Sequence, residues 1–300
     1  VKINGTSVFN HGAMPYNTNG WVDLGSHTLS TLSWGCGSIG NDWIQLNRIK
    51  VGGKELVDNG VTLANVPSIA SEYKASTPAG FSIVSYTGNG TAGATVGHGL
   101  NSAPEFTLVK CRDVAEPWVA FHTSTGNTVG MRLDAVGADS GYNWWNSTTP
   151  GSSVFTLGNT GAVNDTNDYI AYCWSEVPGY SKISQYTSNG STNFIYTGFR
   201  PAFLIAKRVV SSADSTYEGW VMFDSKRGDY NINSESLYAN ETHTEGKRGQ
   251  GSAAGSTFGV DFLSNGFSFY DNATEYNRAD SGQYIYYAVA ETPFKYSNAR

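Results

Sequence analysis

The sequence predicts an all-β protein built from consecutive antiparallel β-sandwich modules of a jelly-roll-like kind, two of them an internal repeat. Three observations lead to this prediction. Glycine is frequent (35 of 300 residues) and charged residues make up only 15%, a composition typical of turn-rich β-proteins. Short runs that alternate apolar and polar residues are separated by Gly, Asn, Ser and Thr turns, without a helical pattern of useful length. Finally, similar runs recur in the same order in two parts of the chain.

The repeat is clearest where each copy ends. Residues 169–182 and 284–297 both lead from an aromatic-rich alternating run into a glutamate, a proline two residues later, and then Tyr-Ser. Each copy begins with a strand that carries Tyr86 or Tyr186 and is followed by an Asn-Gly turn. A large residue that an architecture uses twice at one position is expected in the core. We therefore assign six residues to a repeated core: Tyr86, Tyr186, Trp118, Trp220, Tyr172 and Tyr287.

These patterns divide the chain into three parts. Residues 1–75 are predicted as a small or partial N-terminal β domain, residues 76–180 as the first sandwich repeat and residues 181–300 as the second. Within the N-terminal part we predict strands at 21–24, 28–34 and 43–51, a Gly52-Gly53 hairpin turn, and a short helical turn at 69–73. The chain opens at Val1 with neither an initiator Met nor a signal-type segment, and we expect it to be a fragment or processed product of a longer chain.

Composition argues against several classes of function. A formal net charge of -6 gives no basic footprint for nucleic acid, and no apolar run has the length of a membrane span. We expect neither a nucleic-acid partner nor membrane insertion. Cys36, Cys111 and Cys173 are too widely spaced for a disulfide framework or a metal pair, and Cys111 and Cys173 are predicted to be small apolar fillers.

Several of the repeated motifs resemble a known family. The stretches that carry the resemblance are residues 81–90, 98–100, 169–172, 197–203, 261–267 and 284–294. They are similar to a duplicated domain of marine bacteriophage virion and tail-fibre proteins that is described as concanavalin A-like or lectin-like. The resemblance covers about residues 75–296 and implies a virion role. It brings no catalytic residues with it.

A pair of adjacent tryptophans is the first candidate contact site. The run from Tyr142 to Asn146 has no counterpart in the second repeat, and neighbouring residues on a strand point to opposite faces. At least one of Trp144 and Trp145 is then expected to be exposed or to lie at an interface. We predict Tyr142, Trp144, Trp145 and Asn146 as ligand contacts, in the manner of sugar-binding sandwiches; the alternative is a subunit interface.

Metal and catalytic sites have weaker support in the sequence. Asp165 and Asp168 could offer oxygens to calcium, but Asx-rich turns use the same residues, and we expect no cofactor. The sequence contains no GxSxG, HExxH or GxxxxGK[ST] motif and no ExDxxE-like strand. A glycosidase with two carboxylates from distant strands stays open.

We therefore expect a non-enzymatic phage virion structural protein, of a tail fibre, appendage or surface fibre, located on the virion or outside the cell. Its expected partners are other virion proteins, further copies of itself and a host-surface glycan. Two alternatives stay open. A fibre-borne polysaccharide depolymerase would place two carboxylates in a groove, one with a raised pKa. A purely structural assembly or decoration subunit would bury Trp144 and Trp145 between chains.

Overall fold

The computed structural model describes residues 67–135, 142–209, 219–228, 231–246 and 259–292, together with isolated strand positions at 138–139 and before residue 58. The chain divides into two compact units, Val1–Val61 and Thr62–Arg300. The predicted fold class is confirmed, because the described elements are antiparallel β-strands joined by turns and one short 3-10 helix, Thr77–Ala79. The described part contains no helix with the length and apolarity needed to cross a bilayer.

The described part of the first unit holds five short strands. Strands β1 (Lys2–Ile3), β2 (Thr6–Ser7) and β3 (Leu32–Ser33) form a sheet in the order β2-β1-β3. Strands β4 (Ile49–Val51) and β5 (Lys54–Val57) pair antiparallel with Val51 opposite Lys54, which confirms the hairpin predicted around Gly52-Gly53. The strand predicted at 21–24 and the cysteine Cys36 lie outside the described residues.

The first sandwich spans residues 67–174 and has two sheets. Its strands are β6 (Ser71–Ser76), β7 (Phe81–Thr87), β8 (Ala94–Gly97), β9 (Phe106–Cys111), β10 (Val119–His122), β11 (Gly130–Arg132), β12 (Ala138–Asp139), β13 (Val154–Leu157) and β14 (Asp168–Trp174). The large sheet has the order β12-β11-β10-β9-β14-β7-β6, and the small sheet pairs β13 with β8. The short helical turn expected at 69–73 is wrong, because β6 pairs along its whole length with β7 and so gains hydrogen bonds that an isolated helical turn lacks.

The second sandwich spans residues 181–292. Its strands are β15 (Ser181–Thr187), β16 (Asn193–Tyr196), β17 (Pro201–Arg208), β18 (Trp220–Asp224), β19 (Leu237–Tyr238), β20 (Val260–Leu263), β21 (Gly266–Phe269) and β22 (Gln283–Ala290). The large sheet has the order β15-β22-β17-β18-β19, and the small sheet the order β16-β21-β20. The large-sheet order corresponds strand for strand to β7-β14-β9-β10-β11 of the first sandwich. The duplication itself stays a prediction, which this common order supports.

The two large sheets pack against each other, so that the sandwiches stand back to back. On β9, Val109 and Cys111 point into the first core, whereas Phe106 and Leu108 join Trp220 and other residues of the second sandwich in a separate cluster. Cys111 and Cys173 are free and buried, as predicted. Both faces of each large sheet are therefore covered, in the layer order small, large, large, small.

The six residues assigned to the repeated core divide between these layers. Tyr86 and Tyr186 lie in the two sandwich cores, each stacked on a second tyrosine, Tyr169 or Tyr284, at a ring-centroid distance of 5.2 Å. Each also donates a hydrogen bond of 2.7 Å from its hydroxyl to a main-chain carbonyl. The other four pack in the cluster between the sandwiches, Trp220 fully buried and the remaining three partly so: Trp118, Tyr172 and Tyr287.

Candidate ligand-binding face

The outer face of the small sheet in the second sandwich carries exposed aromatic rings. Its make-up follows from the register, since cross-strand partners share a face. Ile195, Phe267 and Phe262 form one cross-strand row that points into the core. The rows on either side therefore point outward, and they contain Phe194, Ser268, Asp261, Tyr196, Gly266 and Leu263.

Phe194 and Tyr196 make this face apolar and accessible. Their exposed fractions are 47% and 65%, and both belong to β16. The Phe194 ring lies over the backbone of Gly266, where a Cβ would come within 2.9 Å of the ring. Gly266 is thus what allows the ring to lie flat along the sheet.

A carboxylate lies on the same face, where Asp261 belongs to the cross-strand row of Phe194 with Ser268 between them. Tyr270, which is 36% exposed, donates a hydrogen bond of 2.8 Å to Asp261 Oδ2, and this bond is the main reason that the pKa of Tyr270 is raised. Asp261 Oδ1 is enclosed and has no hydrogen-bond partner among the described residues. The face therefore combines aromatic rings with hydroxyl groups and an incompletely bonded acceptor.

The equivalent face of the first sandwich is different. The register aligns Thr95 and Gly97 of β8 with Phe194 and Tyr196. Residues 67–71 lie along β8, where Ser68 exchanges hydrogen bonds with Thr95 and the Pro67 side chain lies 3.1 Å from where a Cβ of Gly97 would stand. Only the second sandwich, within the described residues, presents a pair of aromatic rings on its small sheet.

Comparison with known proteins places most of the chain in one family. Residues 54–293 match a domain of unknown function, DUF7483. The chain belongs to the DUF7483 family. No curated protein and no solved structure matches it. The DUF7483 match includes both sandwiches, so the aromatic face and its covered counterpart lie within a single family domain.

The expectation that Trp144 or Trp145 is exposed is wrong. The two residues are 2% and 1% exposed and belong to the core of the first sandwich. They lie in a turn and not on a strand, so the alternation of faces does not apply: Asn143 Oδ1 accepts the Ser147 N–H at 2.8 Å, and Gly158 N–H bonds to Trp144 O at 2.7 Å. The Trp144 ring packs on Gly130, where a Cβ would come within 2.0 Å of it.

The other two predicted contacts stay at the surface. Tyr142 is 48% exposed and stacks on Trp144 with a centroid distance of 5.0 Å and an interplanar angle of 3°. Asn146 is half-buried with a positive φ of 48°. The structure therefore separates the predicted cluster into two buried core rings and two surface residues, and does not form an aromatic platform there.

Two glutamates meet in a cleft of about 500 Å³ at the junction of the sandwiches. Burial raises the pKa of Glu105, and Glu105 Oε2 accepts the main-chain N–H of Glu176 at 2.6 Å. The Glu176 carboxylate accepts from Lys182 Nζ at 2.8 Å and from the Ile183 N–H at 3.3 Å. Because three of the four carboxylate oxygens already accept hydrogen bonds, the arrangement anchors the linker between the sandwiches.

The weak calcium candidates form local hydrogen bonds, Asp165 within its loop and Asp168 across the β14–β7 strand pair. Asp165 Oδ1 accepts the Thr166 N–H at 2.8 Å, and Asp168 Oδ1 accepts the Thr87 hydroxyl at 2.7 Å. In the described part of the chain, no group of three or more His, Cys, Asp or Glu side chains is arranged to hold a metal ion.

Four residues of this face were not predicted from the sequence: Phe194, Tyr196, Tyr270 and Asp261. A signal for the first two existed in the repeat. Aligning 94–97 with 193–196 places aromatic residues at two alternate positions where the first copy has Thr95 and Gly97. Because the first sandwich folds with small residues at these two positions, the aromatic rings of the second sandwich are not required for its core. They therefore indicate a function outside the core.

Proposed function

We propose that the chain is a non-enzymatic structural and binding protein of a virion surface, and that the second sandwich contacts a host-surface glycan through its aromatic face. The observation that supports this most directly is the pair Phe194 and Tyr196, both exposed on one strand of the small sheet, whose outer face also carries Asp261. The virion assignment is supported by the resemblance of the repeated motifs and by the low-charge, Asn-, Thr- and Gly-rich composition.

The chemistry of the face suits a sugar ring. The apolar side of a pyranose stacks on an aromatic ring, as other flat apolar groups do, and the hydroxyls at its rim need polar partners. The Tyr196 and Tyr270 hydroxyls and the Asp261 carboxylate supply such partners within the same small sheet or directly beside it. Both tyrosines have few rotatable bonds, so that binding orders little side-chain freedom.

A glycan array followed by calorimetry on its best ligand tests this proposal. The full chain is expected to bind a subset of bacterial surface polysaccharides, and the double variant Phe194→Ala/Tyr196→Ala is expected to bind at least about tenfold more weakly, since each aromatic contact contributes on the order of 1 kcal/mol. Tyr142→Ala is the matched control, because Tyr142 is as exposed as Phe194 but lies on the first sandwich. An array without bound glycans, or equal losses in the control, would contradict the proposal.

The depolymerase is a second candidate, favoured by one observation: Glu105, with its raised pKa, shares a cleft with Glu176. The engagement of Glu176 by Lys182 and Ile183 argues against it, since a catalytic carboxylate needs an oxygen free for substrate or water. The two candidates separate if the array glycans are also followed for shortening. Cleavage that disappears in Glu105→Gln would replace the binding proposal by the enzymatic one.

A further inference from the structure

Among the described residues, the small sheet of the second sandwich has one free edge. Thr197 N–H donates to Asn265 O at 3.0 Å in continuation of the β16–β21 ladder. In an antiparallel ladder every second residue bonds to the partner strand, so Ile195 and Asn193 also face β21. The main-chain N–H and C=O groups of Phe194 and Tyr196 consequently point away from the sheet. No hydrogen-bond partner for them exists in the described part of the molecule.

The opposite edge of this sheet is closed. Asn233 and Val260 exchange two main-chain hydrogen bonds of 2.9 Å, and the Asn231 side chain bonds to both the N–H and the C=O of Phe262. The open groups are therefore confined to β16.

The first sandwich shows what fits such an edge. There the outward main-chain groups belong to Thr95 and Gly97, and residues 68–71 form hydrogen bonds with three of these four groups. Ile69 N–H donates to Thr95 O at 3.0 Å, Ser68 Oγ accepts the Thr95 N–H at 2.8 Å, and the Ser71 hydroxyl donates to Gly97 O at 3.1 Å. Ile69 pairs with Val96 in the parallel direction, and its side chain is 5% exposed.

The stretch that precedes the second sandwich is used elsewhere. It is the linker 175–180, which follows β14 of the first sandwich and lies beside β15, the edge strand of the second large sheet. Val177 O accepts the Ser181 N–H at 2.9 Å, and Glu176 accepts the Ile183 N–H at 3.3 Å. The segment equivalent to residues 67–71 thus does not reach β16.

We propose that the free edge of β16 binds an extended segment of another protein in the parallel direction. The fitting segment carries a hydroxyl residue, an aliphatic residue, any residue and a second hydroxyl residue, the pattern of Ser68-Ile69-Ala70-Ser71. Main-chain hydrogen bonds to Phe194 and Tyr196 hold it, and the aliphatic side chain enters the end of the sandwich as Ile69 does. Strand addition extends the sheet sideways, which leaves the aromatic face accessible and gives the protein a docking point for a neighbouring subunit.

A synthetic peptide with the sequence of residues 66–72, Val-Pro-Ser-Ile-Ala-Ser-Glu, is the probe, titrated into the full chain by calorimetry. Tyr196→Pro removes the outward N–H but no bond to β21, and it is expected to weaken peptide binding about tenfold because a buried acceptor loses its donor. Tyr196→Thr keeps the N–H and is expected to bind within about threefold of the wild type. A peptide N-methylated at Ile tests the same pairing with unaltered protein and is expected not to bind.

Equal peptide binding by the wild type and Tyr196→Pro would overturn the proposal. Equal losses of affinity in Tyr196→Pro and Tyr196→Thr would also overturn it, because they would show that the peptide contacts the Tyr196 ring and not the main chain. Sedimentation of the peptide-free chain adds a third outcome. Dimerisation that Tyr196→Pro abolishes would give the edge to a second copy and overturn the assignment to another protein.

Discussion

The two sandwiches share a strand order but differ in how their edges are closed. In the first, one continuous segment, residues 67–76, bonds to β8 through Ser68, Ile69 and Ser71 and then continues as β6 along β7. The second has no such segment within the described residues. Its small sheet stays open at β16 and exposes two aromatic rings there. The covered copy is therefore suited to a structural role, whereas the open copy has a surface that a partner can use.

The edge of the second large sheet shows that an unpaired strand need not stay open. The outward N–H of Ile183 bonds to the Glu176 carboxylate, and the Asn193 side chain donates to Thr187 O at 2.9 Å. Single side chains thus bond outward groups of β15, whereas β6 pairs with the corresponding strand β7 in the first sandwich. Such side-chain bonds discourage edge-to-edge association. Because β15 is protected in this way and β16 is not, the free groups of β16 are more readily explained by binding than by incomplete packing.

The largest expected effect comes from a residue without a counterpart in the second sandwich. Trp144→Ala should destabilise the first sandwich by about 3–5 kcal/mol, because it leaves a cavity in place of a fully buried ring that packs directly on Gly130. Urea unfolding monitored by fluorescence measures this loss. Tyr142→Ala, which removes an exposed ring stacked on Trp144, should cost about 1 kcal/mol or less. Similar small losses for both variants would mean that Trp144 is a surface residue after all.

The next effect depends on pH and distinguishes His122 from Asp224, which ends the corresponding strand β18. His122 Nδ1 accepts the Ser124 N–H at 3.1 Å, so Nε2–H donates to Tyr286 O of the other sandwich at 3.3 Å. Burial lowers the pKa of His122 to about 4. As the pH falls below about 6.5, the His122 imidazole is protonated in the unfolded chain but stays neutral in the folded chain. The free energy of unfolding therefore decreases by roughly 3 kcal/mol between pH 6.5 and 4.

A series of unfolding measurements from pH 7.5 to pH 4 checks this dependence. His122→Gln retains a side-chain donor but cannot take up a proton, so it should flatten most of the decline. His98, whose pKa burial also lowers, leaves a smaller slope in the variant. An unchanged slope in His122→Gln would show that His122 is not neutral and buried between the sandwiches.

Much of the fold could be predicted from the sequence because its signals are local. Alternation and Gly- or Asn-rich turns located most strands, and the similar endings predicted two sandwiches in succession. The packing of the two large sheets against each other was harder to predict. Strand β9 carried one signal, because the sequence Phe-Thr-Leu-Val of residues 106–109 alternates too little for a half-exposed strand, and all four residues are buried. The back-to-back arrangement depends on contacts between distant segments, which no single stretch encodes.

The candidate site could be predicted only in kind. An exposed aromatic residue was expected at Trp144 or Trp145, because these two neighbouring residues were taken to lie on a strand, where they would point to opposite faces. The Asn143 side chain instead closes a turn that directs both rings inward. Phe194 and Tyr196 were overlooked because single aromatics in a strand usually belong to a core, and only the comparison with Thr95 and Gly97 shows that the sandwich does not need them.

The smallest expected effects test whether the two copies are equivalent where their sequences agree. Tyr86→Phe and Tyr186→Phe each remove one hydroxyl that donates to a carbonyl at 2.7 Å within a buried, stacked tyrosine pair. Each should cost about 1 kcal/mol, and the two losses should agree within about 0.5 kcal/mol, because the rings keep their packing and only the hydrogen bond differs. Denaturant midpoints of the two variants, measured side by side, decide this. Clearly unequal losses would mean that the matching strand order of the two sandwiches hides different local energetics at this tyrosine pair.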